Sequence, residues 1–337
     1  MKTVTLGAPS ATTTVLGIIA ITVFILCGAG VVSADTGEVA PSQAAAVGYV
    51  IKTYSGLFSK ETVDLDNTGR PNFDWYPWHF FGQKPPARES ALIKAEGNIV
   101  LGTDSLDSSF ASAAPAHTAS RWVGVAFGGG GYFEATLKFD PEKTAKGKPR
   151  TWPAFWSLAI EHAASLQGEQ WPGQPSGYMH FIEPDFFEYD VWGFSPRHYY
   201  GGAIHDWYGI YKKTCPGKGF CGVSNATGDG TNFSNFKVKT PAETDYTKFH
   251  KFGFLWVPAR PGRQGYAQYY FDGHATDDRI TWDQYTNQAP PPGRAPWTFG
   301  VMDQQHLVLI IGTGVDQPMT VASLSVWQSS SENNLKQ

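Results

Sequence analysis

One stretch of the chain alternates between apolar and acidic side chains in the manner of a half-buried strand. It reads Phe181-Ile182-Glu183-Pro184-Asp185-Phe186-Phe187-Glu188-Tyr189, and its aromatic content gives it high β propensity. Side chains alternate along a strand, so Glu183 and Asp185 share a face while Glu188 falls out of phase by one position. A β-bulge around Phe186 and Phe187 would return Glu188 to that face. A bulged or edge strand would also tolerate Pro184.

Short apolar segments separated by turn residues recur along the rest of the chain. The sequence holds 37 Gly and 23 Pro among 337 residues, and it shows no internal repeat and no long amphipathic helix. Frequent turns between short apolar runs are typical of a β-sandwich. Residues 49–88 are loop-like, and their aromatic cluster either walls a substrate cleft or packs the loop onto the sandwich. The cluster comprises Trp75, Tyr76, Trp78 and His79.

The N-terminal region has the pattern of an export signal. An apolar run from residue 15 to 32 follows Lys2, and Val32-Ser33-Ala34 places small residues where a signal peptidase cleaves. We therefore predict a signal peptide at 1–34, a single mature domain at 35–337 and a secreted protein. The competing interpretation is an uncleaved membrane anchor at 15–32, because that run is long enough to span a bilayer. Cleavage would leave no stable membrane contact.

Net charge limits the possible binding partners, and the cysteines indicate a disulfide. The net charge of −4 is mild and no basic run stands out, which argues against nucleic acid. Cys215 and Cys221 flank a loop sequence, and in an exported protein we expect them to form a local disulfide. A metal pair is the alternative, but no further Cys or His cluster accompanies them. Asn225 and Asn232 begin N-glycosylation sequons in the same region.

The acidic stretch and its flanks resemble glycoside hydrolase family 16. The pattern Glu183-x-Asp185-x-x-Glu188 is similar to the active-site signature of that family. Further segments similar to family strands follow in the family's order, and together they cover about Tyr132 to Gln328. They are Gly131–Lys138, Trp152–Leu158, Ile204-His205, Phe249–Gly253 with Trp256, Tyr270–Gly273, and Met319–Val321 through Val326–Gln328.

The resemblance implies an all-β fold, a concanavalin A-like β-jelly-roll sandwich of two antiparallel sheets with long cleft loops. It implies a secreted endo-acting hydrolase that cleaves a β-linked polysaccharide by a retaining double displacement, with a β-1,3- or mixed-linkage glucan favoured. By the same resemblance Glu183 is the nucleophile, Glu188 the general acid/base and Asp185 the residue that orients Glu183. Two inward-leaning glutamates could approach to roughly 5–6 Å, near the spacing of retaining glycosidases. Repulsion and burial should raise at least one pKa.

Three other functions fit the same sequence. A transglycosylase of the family would use the same residues. A non-catalytic carbohydrate-binding protein on the same fold would have no need of the paired glutamates. A polysaccharide lyase on a similar jelly roll would need a Tyr/His base, for which Tyr199 with His205 is a candidate pair.

Aromatic residues near the acidic stretch are candidates for substrate binding. An indole ring can pack on the apolar face of a pyranose, but a sandwich core also requires large side chains, so both interpretations stay open. His205 contacts substrate, binds a catalytic carboxylate or is structural. The candidate substrate-binding residues are Trp152, Trp156, Trp192, His205 and Trp207.

No cofactor or metal is expected, and the expected state is a monomer. Family members often bind calcium through an Asp at the position that Ala322 occupies here. This departure argues against a structural calcium ion without excluding one. Two other departures are Ser325, where the family usually has Arg, and Pro184, where it usually has a β-branched residue.

Overall fold

A computed structural model describes most of the chain beyond residue 37. The described residues are 38–78, 87–102, 108–117, 120–147, 151–164, 178–189, 198–210, 231–276, 279–288 and 299–337. Side chains are described for these residues except 178–179, 208–210 and 231–237. Some predictions fall outside the described residues, namely the signal peptide or anchor and the sites at His79, Trp192, Cys215, Cys221 and Asn225.

Strands dominate the described residues. In chain order they are β1 Ile51–Gly56, β2 Tyr76–Pro77, β3 Ala91–Ile93, β4 Ile99–Leu101, β5 Ser108–Ala111, β6 Ala113–Pro115, β7 Trp122–Ala126, β8 Gly131–Phe139, β9 Ala154–Ala159, β10 Tyr178–Glu188, β11 Tyr199–Ile210, β12 Thr231–Lys239, β13 His250–Val257, β14 Gly265–Phe271, β15 His274–Ala275, β16 Ile280–Trp282, β17 Leu307–Thr313, β18 Met319–Gln328 and β19 Leu335–Lys336. Short α-helices lie at α1 Ser42–Ala45, α2 Pro141–Lys146 and α3 Ile160–Ala163, and 3₁₀ turns at Arg88–Ser90 and Gly300–Gln304. In these residues no helix has the length and apolar character to cross a membrane.

The strands form two large antiparallel sheets, which confirms the predicted all-β sandwich. The front sheet has the order β12-β11-β10-β9-β17-β5-β2. The back sheet has the order β15-β14-β13-β8-β18-β4-β3, with β1 paired to β18 and β16 paired to β14. A small third sheet, β19-β7-β6, completes the described strands. The strand that carries the acidic stretch, β10, lies inside the front sheet between β9 and β11.

The core between the two sheets follows from the alternation of side chains along each strand. Phe186 of β10 stacks on Phe133 of β8 and on Phe254 of β13, with ring centroids 5.4 Å and 4.5 Å apart. All three rings are fully buried. Burial of one such ring contributes about 1.5–3 kcal/mol, and Phe186→Ala would cost about 3–5 kcal/mol because the space cannot refill.

A second apolar cluster covers part of the outer face of the front sheet, the face turned away from the back sheet. Phe181, Leu158 and Val308 point to this face from β10, β9 and β17, and Trp122 of the small sheet packs on the same cluster. The small sheet therefore covers the β17 side of the outer face. The β10–β11 side is where the carboxylates lie.

In the aromatic segment near residue 75, Trp75 and Tyr76 pack inside the fold, as one of the two interpretations expected. Trp75 and Tyr76 are 0% and 1% exposed, and Trp75 stacks on Phe58 with centroids 5.4 Å apart. Trp78 is partly buried against the outer-face cluster. The expectation of a continuous loop over 49–88 was wrong at β1, which pairs with β18; its apolar positions are too few for alternation to reveal it.

Candidate active site

The predicted bulge is present in β10. Against β11, Asp185 pairs with Ala203 and Glu188 with Gly201, so β10 uses one residue more than its neighbour. Against β9, Asp185 pairs with Trp156 and Phe187 with Phe155. The extra residue is thus Phe186. A bulge of this kind disrupts alternation by one position and no more.

The bulge brings the three carboxylates to one face. Ile182, Phe186 and Phe187 all belong to the core between the sheets, and two successive core residues are possible only because of the extra position. Asp185 is 3% exposed, whereas Glu183 and Glu188 are half-buried. The outer face of β10 therefore carries Glu183, Asp185 and Glu188 in sequence. Straight alternation would have placed Glu188 in the core.

An indole donor holds each glutamate. The Nε1–H of Trp207 on β11 donates to Oε2 of Glu183 at 2.8 Å. The Nε1–H of Trp152, just before β9, donates to Oε1 of Glu188 at 3.0 Å. Hydrogen bonds to a charged acceptor are stronger than neutral ones and fix its direction. Trp152 and Trp207 were expected as sugar platforms or core residues, and carboxylate binding is a function that the sequence pattern did not reveal.

His205 belongs to the same cluster through Asp185. Its Nε2 lies 3.2 Å from Oδ2 of Asp185, and its ring stacks on Trp207 with centroids 5.5 Å apart and an interplanar angle of 19°. Among the interpretations left open for His205, contact with a carboxylate of the acidic stretch is therefore observed. The imidazole stands between Asp185 and the indole that holds Glu183, so it couples the two positions.

A row of rings closes the Glu183 end of the site. Phe181 stacks on Trp207 at 6.4 Å, and His162 of α3 lies flat on Phe181 at 3.7 Å with an interplanar angle of 5°. Burial lowers the pKa of His162 to about 4, so this imidazole is neutral at neutral pH. Trp207 is the member of this row that contacts the Glu183 carboxylate, and the stacked rings extend from it to α3.

Burial governs the protonation of the cluster. Loss of water contact, followed by the charge of Asp185, raises the pKa of Glu183 from 4.5 to about 8. The hydrogen bond from Trp207 and the nearby His205 oppose that shift, and the charge of Glu188 adds to it. Burial also raises the pKa of Asp185 well above its ordinary value. The expectation that at least one pKa is raised is confirmed, and it falls on this neighbouring pair.

The raised values mean that Glu183 and Asp185 do not both ionise near neutral pH. Two neighbouring carboxyl groups in a site of low polarity share protons as a pair. When Asp185 holds a proton, its charge no longer repels Glu183, and its O–H can donate to a neighbouring carboxylate. The Trp207 N–H then favours the ionised form of Glu183. The site can thus keep one carboxylate charged beside one neutral acid.

The same side chains are the described residues nearest to a metal-binding geometry. Donor atoms of Glu183, Asp185 and His205 lie within 4.8 Å of one another. Two carboxylates and an imidazole would also suit a zinc ion. This cluster is distinct from the calcium position considered at Ala322, which lies on β18 of the back sheet.

The last of the predicted aromatic residues, Trp156, also lies beside the carboxylates. Trp156 is half-buried, pairs with Asp185 across the β9–β10 ladder, and packs on the outer-face cluster. Trp152, Trp156, His205 and Trp207 therefore all lie at the carboxylate face.

Asn232 pairs in register with Asp206 in the β11–β12 ladder, so this sequon begins inside a strand.

Comparison with known proteins gives relatives by fold only. No family model and no curated protein matches the chain. Solved structures of similar fold include an endo-1,3-beta-glucanase from Streptomyces sioyaensis, with 15% identity over 85% of this chain and 96% of that chain and a TM-score of 0.41. Another is the catalytic domain of an endo-1,3-beta-glucanase (laminarinase) from Thermotoga petrophila, with 14% identity, coverage of 71% and 80%, and a TM-score of 0.34.

Carbohydrate-binding domains occur among the same structures. The Emp46p carbohydrate recognition domain is 9% identical, with coverage of 71% of this chain and 86% of that chain and a TM-score of 0.28. At such low identities and TM-scores, the likeness does not separate an enzyme from a binding module. The side chains of the site have to decide between them.

Proposed function

We propose that this chain is a secreted, endo-acting glycoside hydrolase of the family 16 type that cleaves a β-linked polysaccharide with retention of configuration. A β-1,3- or mixed-linkage glucan is the favoured substrate. The observation that carries the proposal is the Phe186 bulge, because it places Glu183 and Glu188 on one face with Asp185 between them. A binding protein has no need for three neighbouring carboxyl groups, two of which add to the raised pKa of Glu183.

In the proposed reaction Glu183 is the nucleophile and Glu188 the general acid/base. Glu183 attacks the anomeric carbon while Glu188 gives its proton to the departing oxygen, and a covalent glycosyl-enzyme forms. Glu188 then removes a proton from water, which attacks the same carbon and releases Glu183. Asp185 holds the proton that Glu183 would otherwise retain, and His205 contacts Asp185 from β11. Trp207 keeps the attacking oxygen in place.

The raised pKa of Glu183 supports an additional role for Asp185. A nucleophile must be ionised, yet burial and the charge of Asp185 both favour its protonated form. Protonation of Asp185 removes the second of these causes. In this mechanism Asp185 therefore orients Glu183 and also sets its charge.

The β11 geometry disfavours the lyase alternative. Tyr199 and His205 are six positions apart on one strand, about 20 Å at the usual rise per residue. Tyr199 begins β11, while His205 pairs in register with Glu183. Tyr199 and His205 are too far apart to act together as the catalytic base and its partner at one sugar.

The deciding experiment incubates the purified mature protein with a panel of β-glucans and galactans. Proton NMR of the first products gives the anomeric configuration, which is expected to be β for a retaining enzyme. A product that absorbs in the ultraviolet would identify a lyase. Longer oligosaccharides in place of new reducing ends would identify a transglycosylase, and binding without cleavage would identify a carbohydrate-binding protein.

The proposal includes export and a monomeric mature protein. The chain would begin near Asp35 after cleavage and carry a Cys215–Cys221 disulfide. Intact-mass measurement with and without reduction tests both statements. A retained N-terminal segment would favour the membrane anchor, and two free thiols in the exported protein would contradict the disulfide.

A further inference from the structure

The front sheet opens beside the Glu183 half of β10. The described pairs between β9 and β10 run from Asp185 to Glu188. From His180 to Pro184, β10 is paired by β11 on one edge, while β9 pairs with β17 up to Ala159 and then passes into α3. Backbone groups on the other edge need partners because an unpaired buried N–H or C=O is costly.

Side chains supply those partners. Nε2 of Gln305 donates to the carbonyl of His180 at 2.8 Å, and Oε1 of Gln305 accepts from the N–H of Ile182 at 3.0 Å. The hydroxyl of Ser157 donates to the carbonyl of Pro184 at 3.1 Å. A primary amide offers one donor and one acceptor in the manner of a peptide group. Gln305, which is 3% exposed, thus takes the place of a strand.

The same edge explains the proline in the acidic stretch. Residues at positions i, i+2 and i+4 present their backbone groups to the same edge of a strand, so His180, Ile182 and Pro184 face the opening together. Pro184 has no N–H to donate. It therefore lies at a position where a ladder hydrogen bond to β9 is not made, and its carbonyl is bonded to Ser157.

Anchors on both sides hold Gln305. Just before it, Asp303 accepts from the Nε1–H of Trp256 at 2.9 Å and from the Nε1–H of Trp282 at 2.8 Å. Just after it, Nδ1 of His306 lies 2.6 Å from Oε1 of Glu161. Gln305 follows the 3₁₀ turn Gly300–Gln304. Phe299, directly before this turn, has a φ of 61°, which is a strained conformation for a bulky residue. The surrounding contacts therefore hold this turn, and with it Gln305, in place.

We propose that Gln305 is a positioning residue that fixes the backbone of β10 directly before Glu183. The proposal rests on the glycosidase function proposed above. Ile182 precedes Glu183, so its N–H bond to Gln305 limits how far the glutamate can shift along the strand. A misplacement of about 1 Å at a reacting group can cost about 100-fold in rate. Trp207 fixes the carboxylate end of the same residue.

The test compares two buried glutamines. Gln305→Met keeps the volume and removes both hydrogen bonds. Gln305→Glu keeps the acceptor for Ile182 but, when ionised, sets a carboxylate oxygen against the carbonyl of His180. The matched control is Gln328→Met. Gln328 is 1% exposed and donates to the carbonyls of Gly128 and Gly130 at 2.9 Å and 2.8 Å, away from the carboxylates.

The proposal predicts different kcat losses in Gln305→Met and Gln328→Met. Gln305→Met should lower kcat on the best polysaccharide about 10–100-fold with little change in KM, and Gln305→Glu should lower kcat as well, because it loses the donor to His180. Gln305→Met should also slow the labelling of Glu183 by a fluorinated glycoside that traps the covalent intermediate. Gln328→Met should lower the melting temperature at least as much, yet keep kcat per folded molecule. Equal kcat losses in Gln305→Met and Gln328→Met would overturn the proposal.

A second readout keeps the test independent of the proposed function. The indole N–H resonance of Trp207 reports the position of Glu183 by NMR, and amide exchange reports the Ile182 hydrogen bond. Both should change in Gln305→Met and stay as in the unaltered protein in Gln328→Met. If the unaltered protein cleaves no polysaccharide, the proposed function fails, while an unchanged Trp207 resonance in Gln305→Met would separately overturn the positioning of Glu183.

Discussion

Asp303 and the Glu183–Asp185 pair are both at least half-buried, and the cost of burying these carboxyl groups is compensated in opposite ways. Asp303 accepts three N–H donors, from Trp256, Trp282 and the backbone of Ala259, and no charge of another acid contributes to its pKa among the described residues. Burial and then the charge of Asp185 raise the pKa of Glu183, and burial raises the pKa of Asp185. Burial raises the pKa in both groups, but only at Asp303 do several donors work against it.

This difference separates a structural carboxylate from one suited to chemistry. A carboxylate surrounded by N–H donors is held in one charge state and stabilises the segment that carries it. A carboxyl pair with few donors changes its protonation near neutral pH, which catalysis requires and stability does not. The predictions below test whether the two groups behave in these different ways.

The largest effect is expected at Glu183. Glu183→Ala removes the proposed nucleophile, so turnover should fall roughly 10⁴–10⁶-fold, as for other enzymes that lose a nucleophile. A small anion such as azide can occupy the vacated space and attack the anomeric carbon from that side. NMR of the rescued glycosyl azide should show inverted configuration. Near-normal turnover in this variant would refute the assignment.

Glu188→Ala should fail differently. The loss of the proton donor should cost about 10²–10⁴-fold on polysaccharide. Aryl glycosides with good leaving groups need little protonation, so their first step should survive and mass spectrometry should detect a covalent intermediate. Azide should accelerate its breakdown and give a product of retained configuration. An azide product of inverted configuration from this variant would show that Glu188 is the nucleophile and Glu183 the general acid/base.

Asp303→Asn tests the structural carboxylate. The amide would place an N–H group against one of the existing donors, which should cost about 1–3 kcal/mol and lower the melting temperature by several degrees. The control is Asp283→Asn, because exposed Asp283 accepts one bond from Gln264 at 2.9 Å. That change should stay within about 0.5 kcal/mol. Equal melting temperatures for both variants would contradict the structural role.

The pH dependence of stability sharpens the same contrast. The pKa of Glu183 is about 8 in the folded protein against 4.5 for an ordinary Glu, so the folded state binds its proton more tightly. The associated stability is complete below about pH 4.5 and is lost as the pH rises through about 8. Glu183→Gln removes this dependence, so its melting temperature should match that of the unaltered protein at pH 4.5 and exceed it at pH 8.

The expected gain is about 1–3 kcal/mol once solvent screening of a half-buried group is allowed for. Thermal unfolding followed by circular dichroism at both pH values measures it. A melting temperature for Glu183→Gln below that of the unaltered protein at pH 8 would show that the charged glutamate stabilises the fold. The site would then resemble Asp303.

Metal removal is expected to have the smallest effect. Ala322 offers no carboxylate, and the proposed chemistry needs no ion, so chelation should leave both activity and melting temperature nearly unchanged. A drop in melting temperature that calcium restores would reveal another calcium site. A loss of activity that zinc restores would instead assign the Glu183, Asp185 and His205 cluster to a metal.

The sequence predicted those features that depend on neighbours along one strand. Alternation together with two adjacent phenylalanines predicted the bulge and the common face of Glu183, Asp185 and Glu188, and the register confirms both. The distance between Glu183 and Glu188 and their chemical roles stay predictions. Turn frequency predicted a β-sandwich, and the resemblance to glycoside hydrolase family 16 implied its two antiparallel sheets.

Contacts between distant residues could not be read from such patterns. Gln305 is 123 positions from Ile182, and nothing in its local sequence distinguishes it from a surface glutamine. Trp152 and Trp207 carried a visible signal, since both lie close to the acidic stretch in sequence or in register. Their N–H donation to Glu188 and Glu183 depends on side-chain direction, which alternation alone does not specify.

The indole bonds to the two glutamates also have a spectroscopic consequence. Indole emission responds to charge and to hydrogen bonding at its nitrogen, and Trp152 and Trp207 donate to Glu188 and Glu183 respectively. Among the tryptophans that the structure describes, these two donate to the groups whose protonation would change during turnover. The difference in emission between the unaltered protein and a Trp152→Phe or Trp207→Phe variant would report the indole that was replaced. The site thus carries its own optical probes, one for each glutamate, without any added label.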